Sequence, residues 1–322
     1  MNRALIIRPS SLGDIVHALP IVHDLHRHRP GLAIDWVAEE PFAAVVALNH
    51  GVRHVIPIAL RRWRRKVLAG STWREIRAFH RDLGREHYDA VIDLQEQVKG
   101  AAIAWLAHGP VHGPDRRSIR EPAATLAYRH TYRIAPRQHL IDRCRQLAGK
   151  VFGYEPHGPP RFDLAPPALS NPPAKHYAVF LHGTSRDDKL WPEGHWRLLI
   201  ERFMAMGIDL FLPWGSSTEQ ARSERLAAGA AGVTVPRRME LPQLAALLAS
   251  ARLVCGVDTG LVHLAAALGT PTISLFVATD PHLAGVERAG TMTRDLGGNA
   301  TIPEPVRVIA AAEELLAQSR AS

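Results

Sequence analysis

The sequence predicts an α/β protein built from two doubly wound parallel-sheet domains that face each other across a cleft. Three observations carry that prediction. Short, nearly continuous apolar runs alternate with amphipathic helical stretches along the chain, the pattern of a parallel sheet covered on both faces. The length, 322 residues, is about twice that of a typical single domain. Seven prolines fall between Glu155 and Pro173, where missing backbone donors and the extended bias of pre-proline residues exclude a long helix or a central strand. The expected division is an N-terminal domain over 1–154, a stiff linker over 155–173 and a C-terminal domain over 174–322.

The elements follow in order. In the first half, 4–8, 33–37, 54–58 and 90–94 are apolar and rich in strand-forming residues, and helical periodicity covers 15–28, 72–86, 98–107 and 139–152. In the second half, strands are expected at 177–181, 208–212, 232–235, 253–257 and 272–276, separated by helices at 192–206, 218–228, 241–250 and 261–268. A last helix over 305–317 can pack on either half, the N-terminal domain included. No short-period repeat of the solenoid kind is present.

Composition narrows the class. A hydrophobic content of 46% excludes disorder. No uncharged apolar run approaches the ~18 residues a membrane helix needs. The apolar stretch Ala4-Leu5-Ile6-Ile7 is too short for the core of a signal peptide. Cys144 and Cys255 lie far apart, which argues against a disulfide framework and for the reducing cytoplasm. The charge is uneven. Residues 1–150 hold 24 basic and 14 acidic side chains and residues 151–322 hold 15 and 17, a balance of +10 against −2. That asymmetry is expected either of a solvated face or of one half that meets an anionic partner such as nucleic acid, anionic lipid or an acidic substrate.

Three stretches can carry chemistry. The first strand runs into Pro9-Ser10-Ser11-Leu12-Gly13-Asp14, a strand-to-helix turn at the C-terminal sheet edge, where α/β ligands bind. Asp14 reads either as the N-cap of the helix or as a general base for an attacking hydroxyl. The helix N-terminus stabilises a carboxylate there, and a base would need compensating desolvation. In the second half, His182-Gly183-Thr184-Ser185-Arg186-Asp187-Asp188-Lys189 follows a strand directly. Its hydroxyls, backbone N–H groups and lysine suit a phosphate, although the P-loop spacing is missing; a solvated loop is the alternative. The third stretch is Asp258-Thr259-Gly260-Leu261-Val262-His263. Asp-Thr-Gly also marks aspartic proteases, but those need a second copy in an all-β setting, whereas this triplet joins a buried strand to a helix whose N-terminus suits a diphosphate.

His23, His26 and His28 share a helix end without a carboxylate or cysteine at a ligand spacing, and no Asp-x-Asp is present to hold a metal nucleotide. Arg61-Arg62-Trp63-Arg64-Arg65-Lys66 is either a charged surface loop or a phosphate or nucleic-acid contact; no RNA-binding signature accompanies it.

Together these stretches resemble the bacterial ADP-heptose:lipopolysaccharide heptosyltransferases, glycosyltransferase family 9. The resemblance rests on Ser10-Ser11-Leu12-Gly13-Asp14 with His17-Ala18-Leu19-Pro20, Asp35-Trp36-Val37-Ala38-Glu39-Glu40, Tyr88-Asp89-Ala90-Val91-Ile92-Asp93, Arg120-Glu121-Pro122, Pro213-Trp214-Gly215 and Asp258 to His263. Arg61-Arg62-Trp63-Arg64 and Arg186-Asp187-Asp188-Lys189-Leu190-Trp191 point to its heptosyltransferase I branch. The resemblance runs nearly end to end and is weakest in the proline-rich stretch and beyond about Asp280. It implies two Rossmann-like domains of the GT-B type and an inverting transfer from ADP-heptose to the first Kdo of Kdo2-lipid A, without cofactor or obligatory metal.

By resemblance Asp14 is the catalytic base and Lys189 offsets charge on the leaving group. Thr184, Ser185 and Lys189 match diphosphate contacts, Glu219 a ribose contact and Met239 an adenine contact; Asp258, Thr259, Gly260 and His263 match further donor contacts. Ser10, Gly13, Arg61, Arg62, Arg64, Arg65 and Arg120 are the acceptor candidates. Ser185 replaces a common threonine, and Val277-Ala278 replaces a Gly-Pro pair ahead of Thr279-Asp280. The resemblance further implies a monomer without nucleic-acid partners, peripheral on the cytoplasmic face of the inner membrane. The competing readings are heptosyltransferase II or another sugar transferase of the family, a nucleotide-sugar epimerase, and a non-catalytic polyanion-binding protein.

Overall fold

Each half of the chain folds around its own parallel sheet. The structure, a computed structural model, describes residues 1–169, 173 and 176–321 and divides into two units at Ala165/Pro166. The first unit contains β1 (Arg3–Ile7), α1 (Leu12–Ala18), α2 (Pro20–His28), β2 (Ala33–Glu39), α3 (Ala43–Val46), β3 (Val52–Ile58), α4 (Leu60–Arg65), α5 (Gly70–Leu83), β4 (Ala90–Asp93), α6 (Val98–Trp105), β5 (Val111–Pro114), β6 (His130–Tyr132) and α7 (Leu140–Phe152). Its strands lie in the order β3-β2-β1-β4-β5-β6, all parallel. The order reverses between β1 and β4, so the loops after those two strands form the switch point where α/β folds bind ligands. Pro20 divides the single helix expected over 15–28: it opens α2 at its first position, where a missing N–H costs nothing.

The second unit contains β7 (Tyr177–Leu181), α8 (Glu193–Ala205), β8 (Asp209–Phe211), α9 (Ser217–Ala227), β9 (Val233–Thr234), α10 (Leu241–Ala249), β10 (Leu253–Val257), α11 (Gly260–Ala267), β11 (Thr272–Phe276), α12 (Pro281–Ala284), β12 (Thr293–Gly297) and α13 (Pro305–Ala321). Its order, β12-β11-β10-β7-β8-β9, repeats the first topology, with the switch point between β7 and β10. Trp191, Trp196, Phe180 and Phe203 are fully buried at its centre, the two indoles edge to face at 5.0 Å, and Trp191 Nε1 donates to the Pro303 carbonyl.

Several expectations change. Strands β5, β6 and β12 were outside the expected set. The last helix packs on the second unit, where Val308, Ala312, Leu315 and Leu316 join the core. The proline-rich stretch is not free along its length: residues 157–165 are fastened to the first unit. Arg145 donates to the carbonyls of His157 and Gly158, Asn49 Nδ2 to that of Phe162, and Ala165 N to that of Leu48. Prolines remove donors but leave carbonyls to accept. Pro172 and the expected boundary at 174 lie outside the described residues.

Both cysteines are free and buried, and burial pushes the Cys144 thiol up to about 12. Among the described residues no helix is long and apolar enough to cross a membrane.

Candidate functional site

At the switch point of the first unit, Arg8 leaves β1 and is nearly buried. It donates to the Leu94 carbonyl and pairs with Asp14 Oδ1 at 3.1 Å, while Trp36 Nε1 donates to the Arg8 carbonyl. Asp14 is not the N-cap. Ser11 takes that place, and Asp14 occupies the third position of a capping box: its Oδ2 accepts from Ser11 N at 2.9 Å and Ser11 Oγ at 2.8 Å. Cap chemistry and the guanidinium therefore fix one carboxylate from two sides, with Gly13 in the same helical turn.

The loop after β4 completes this edge. Ser10 is buried and its N–H donates to Gln95 Oε1; Lys99, in the first turn of α6, reaches Ser10 Oγ at 3.4 Å. Burial, Arg61 and Arg64 pull the Lys99 ammonium below the usual lysine range, while Asp14 and Glu39 oppose that shift. Glu39 is itself raised by burial. Asp93, the last residue of β4, accepts from Tyr128 Oη at 2.7 Å and Gln95 N at 2.8 Å. Arg120 is exposed, and its neighbour Glu121 accepts from Val98 N at the start of α6, which ties that segment to the same edge.

The basic run forms helix α4, with Trp63 buried. Its arginines are not equivalent. Arg62 is held by Glu40 and Glu75, and Arg61 lies 5.6 Å over the Phe42 ring. Arg64 and Arg65 are exposed, with no ion pair to any described residue.

The second switch point centres on Asp258. Its Oδ2 accepts from Lys189 Nζ at 2.5 Å and Thr279 Oγ1 at 2.7 Å, and its Oδ1 lies 3.2 Å from His263 Nε2. Burial works to raise this carboxyl, but His263, Lys189 and Thr279 outweigh it and hold Asp258 well below the usual carboxylate range. Thr259 is the N-cap of α11 and Gly260 its first residue, so free N–H groups open beside the cluster. Thr184 is half-buried and Ser185 exposed in the loop after β7; Arg186 pairs with Asp188 there.

Glu219 closes the capping box of α9 and accepts from Gly215 N at 2.7 Å. It lies against Gly183: a Cβ built there would stand 2.7 Å from the Glu219 carboxylate. Met239 is half-buried ahead of α10. His182, next to Gly183, bonds Ser223 Oγ at 2.7 Å and is driven down to about 4 by burial and by Arg222, so it stays neutral. Asp280 caps α12 through His282 N.

The structure thus brings Ser10, Gly13 and Asp14 together, with Lys99 in charge range of Asp14, Arg61 and Arg64, and Lys189 together with Asp258 and His263. Sequence reasoning missed Arg8, Asp93, Lys99 and Thr279 as members of these groups. Arg8 and Asp93 carried a signal, a charge at the end of a buried strand, as did Lys99, a cation in a first helical turn where the dipole disfavours it.

The helix-end histidines have other partners. His23 pairs with Asp163, His26 with the Gly51 carbonyl, and His28 stacks on Tyr154. No group of three or more His, Cys, Asp or Glu among the described residues could hold a metal ion.

Comparison with known proteins extends this description. The profile of glycosyltransferase family 9 (heptosyltransferase) matches residues 76–294. Lipopolysaccharide heptosyltransferase 1 of Escherichia coli (strain K12) is 46% identical over 287 residues, 88% of this chain and 90% of that one. The solved structure of E. coli heptosyltransferase WaaC with ADP superposes with a TM-score of 0.89 at 42% identity, covering 97% of this chain and 99% of that one. For WaaC with ADP-2-deoxy-2-fluoro heptose the values are 0.84, 40%, 98% and 99%.

Proposed function

The chain belongs to glycosyltransferase family 9, and from that premise we propose that it transfers L-glycero-D-manno-heptose from ADP-heptose to the first Kdo of Kdo2-lipid A in lipopolysaccharide inner-core synthesis. The observation that carries this reading is the 46% identity to lipopolysaccharide heptosyltransferase 1 across 88% of the chain.

In the first unit Asp14 takes the proton of the attacking Kdo hydroxyl. Its fixed geometry suits that task, because a base works only within hydrogen-bond reach of the proton it removes. The hydroxyl oxygen attacks the anomeric carbon, the bond to the diphosphate oxygen breaks, and ADP leaves from the opposite face with inversion. In the second unit Lys189, Thr184, Ser185 and the N-terminus of α11 hold the diphosphate. Lys189 neutralises charge as it develops on the leaving oxygen, aimed by Asp258, which His263 and Thr279 hold in turn. Glu219 takes the ribose hydroxyls and Met239 lies against the adenine. Arg61, Arg64, Arg65 and Arg120 take acceptor phosphates and carboxylates, with Arg62 joining only if it exchanges its carboxylate partners. No step passes through a metal or cofactor. The protein acts as a monomer at the cytoplasmic membrane surface, where its acceptor lies.

The test is ADP release from ADP-heptose with and without Kdo2-lipid A, wild type beside Asp14→Ala. Release that depends on acceptor and falls about a hundredfold or more in the variant, with donor binding retained, supports the reading. Release only with an acceptor that already carries heptose moves the assignment to heptosyltransferase II. Donor binding without release on either acceptor rules out the proposed transfer.

A further inference from the structure

The turn between α4 and α5 carries apolar surface that folding does not use. Val67, Leu68 and Trp73 are 54%, 95% and 51% exposed. Single exposed apolar side chains are ordinary, but Val67 and Leu68 occupy a turn that is braced from beneath, and Trp73 follows them in the first turns of α5. Trp63 is buried edge-on to Phe79, and its Nε1 donates to Glu75 at 2.7 Å. The Lys66 carbonyl accepts from Ala69 N at 3.0 Å and Thr72 Oγ1 at 2.8 Å. These bonds anchor both ends of the tip to the unit beneath it.

Cations surround it. Arg64, Arg65, Lys66, Arg74 and Arg77 are exposed, and none has an ion-pair partner among the described residues. Arg74 and Arg77 lie on the face of α5 away from its buried residues Thr72, Phe79 and Leu83. An apolar tip that includes a tryptophan, ringed by free cations, complements an anionic lipid surface. The cations meet head groups, the aliphatic side chains enter the acyl boundary, and the indole sits at the interface.

We infer that residues 66–73 form a membrane anchor, which inserts Val67, Leu68 and Trp73 into an anionic leaflet. The anchor rests on the proposed function only for its biological setting, since the acceptor named there is a lipid; the geometry stands by itself.

The experiment is co-sedimentation of the full chain, without donor or acceptor, with vesicles of equimolar phosphatidylglycerol and phosphatidylethanolamine and with vesicles of phosphatidylcholine alone. Binding is expected to the anionic vesicles. It should weaken about tenfold or more when Val67 and Leu68 are both changed to serine, as loss of that much apolar burial implies. Brominated acyl chains should quench wild-type tryptophan fluorescence, and Trp73→Phe should remove most of that quenching. Activity on acceptor dispersed in detergent should be unchanged in both variants, which also shows that they are folded. Wild-type affinity in the serine variant, quenching that survives Trp73→Phe, or no binding to either vesicle overturns the anchor, the last leaving the surface to a protein partner. Such failures alongside normal transfer leave the function intact. Vesicle binding of the expected kind without transfer sinks the function and leaves the anchor standing.

Discussion

Asp93→Asn should stabilise the first unit, and by an amount that depends on pH. Asp93 is completely buried. Burial lifts its carboxyl from the ordinary 3.8 to about 6, against the opposing pull of Tyr128, the Gln95 and Glu96 amides and Arg8. The folded protein therefore holds this proton more tightly than the unfolded chain. Between those two values the folded state binds more protons, so stability falls as pH rises through them. Above about pH 6 the penalty is complete, on the order of 3 kcal/mol at ~1.4 kcal/mol per pH unit; below about pH 4 it vanishes.

Asparagine is neutral throughout and keeps both contacts. Its carbonyl accepts from Gln95 N, and its amide donates to the Tyr128 hydroxyl, which can turn from donor to acceptor. Urea unfolding of wild type and variant, followed by tryptophan fluorescence at about pH 4, 6 and 8, should show a gap of up to ~3 kcal/mol favouring the variant at the highest pH. The gap should close at the lowest. A variant less stable than wild type at high pH, or a gap that does not move with pH, would refute the reasoning.

Gly183→Ala should push the Glu219 carboxylate aside, since the new Cβ would lie 2.7 Å from it; the KM for ADP-heptose rises about tenfold, a hydrogen bond to a charged group lost, and an unchanged KM would remove Glu219 from the donor site. Lys189→Ala should lower kcat about a hundredfold to a thousandfold, with partial recovery in Lys189→Arg, measured by ADP release at saturating donor. Arg8→Met should lower kcat about tenfold through loss of the Asp14 partner and also cost about 1–3 kcal/mol by leaving the Leu94 carbonyl without its donor, which urea titration reads. Arg62→Ala should leave the thermal midpoint unchanged, because its ion pairs with Glu40 and Glu75 are two-fifths exposed and screened by solvent.

What was legible in the sequence follows from burial. Strands β4, β7, β10 and β11 are buried along their whole length, and β1 at all but its first residue, so each appears as an apolar run bounded by turns. The strands outside the expected set carry no such run. β5 is buried but reads Val-His-Gly-Pro, and the edge strands β6, His-Thr-Tyr, and β12, Thr-Arg-Asp-Leu-Gly, are partly open; all three pair by register with a neighbour rather than by apolar pattern.

The site divides in the same way. Asp14, Lys189 and Asp258 stand in short motifs that follow predicted strands, and their placement at the C-terminal sheet edge needed only a parallel sheet. Lys99 meets Ser10 because β4 is the neighbour of β1, and Thr279 meets Asp258 because β11 is the neighbour of β10. Such contacts depend on strand order, which no local window contains. The capping role divided differently: the Ser11-x-x-Asp14 spacing was present in the sequence, but the N-cap lay one turn earlier than the carboxylate that drew attention.

The charge asymmetry gains meaning only after the structural pairs are subtracted. Much of the acidic complement of the first unit is committed: Asp14 to Arg8, Asp24 to Arg145, Asp35 to Arg53, Glu40 and Glu75 to Arg62, Glu86 to Arg3 and Arg53, and Glu96 to Arg143. Those cations are already paired with carboxylates of their own unit. Arg145 and Asp24 illustrate the extreme, nearly buried and joined by two hydrogen bonds, where a lone charge would be strongly destabilising. The exposed cations outside these pairs include Arg116, Arg117, Arg120, Arg129, Arg133 and Arg137 and, on α4, the turn after it and the outer face of α5, Arg64, Arg65, Lys66, Arg74 and Arg77. A polyanionic acceptor and an anionic leaflet would draw on these same cations, so an increase in ionic strength should weaken vesicle binding and acceptor use together while donor affinity, governed by the near-neutral second unit, changes less.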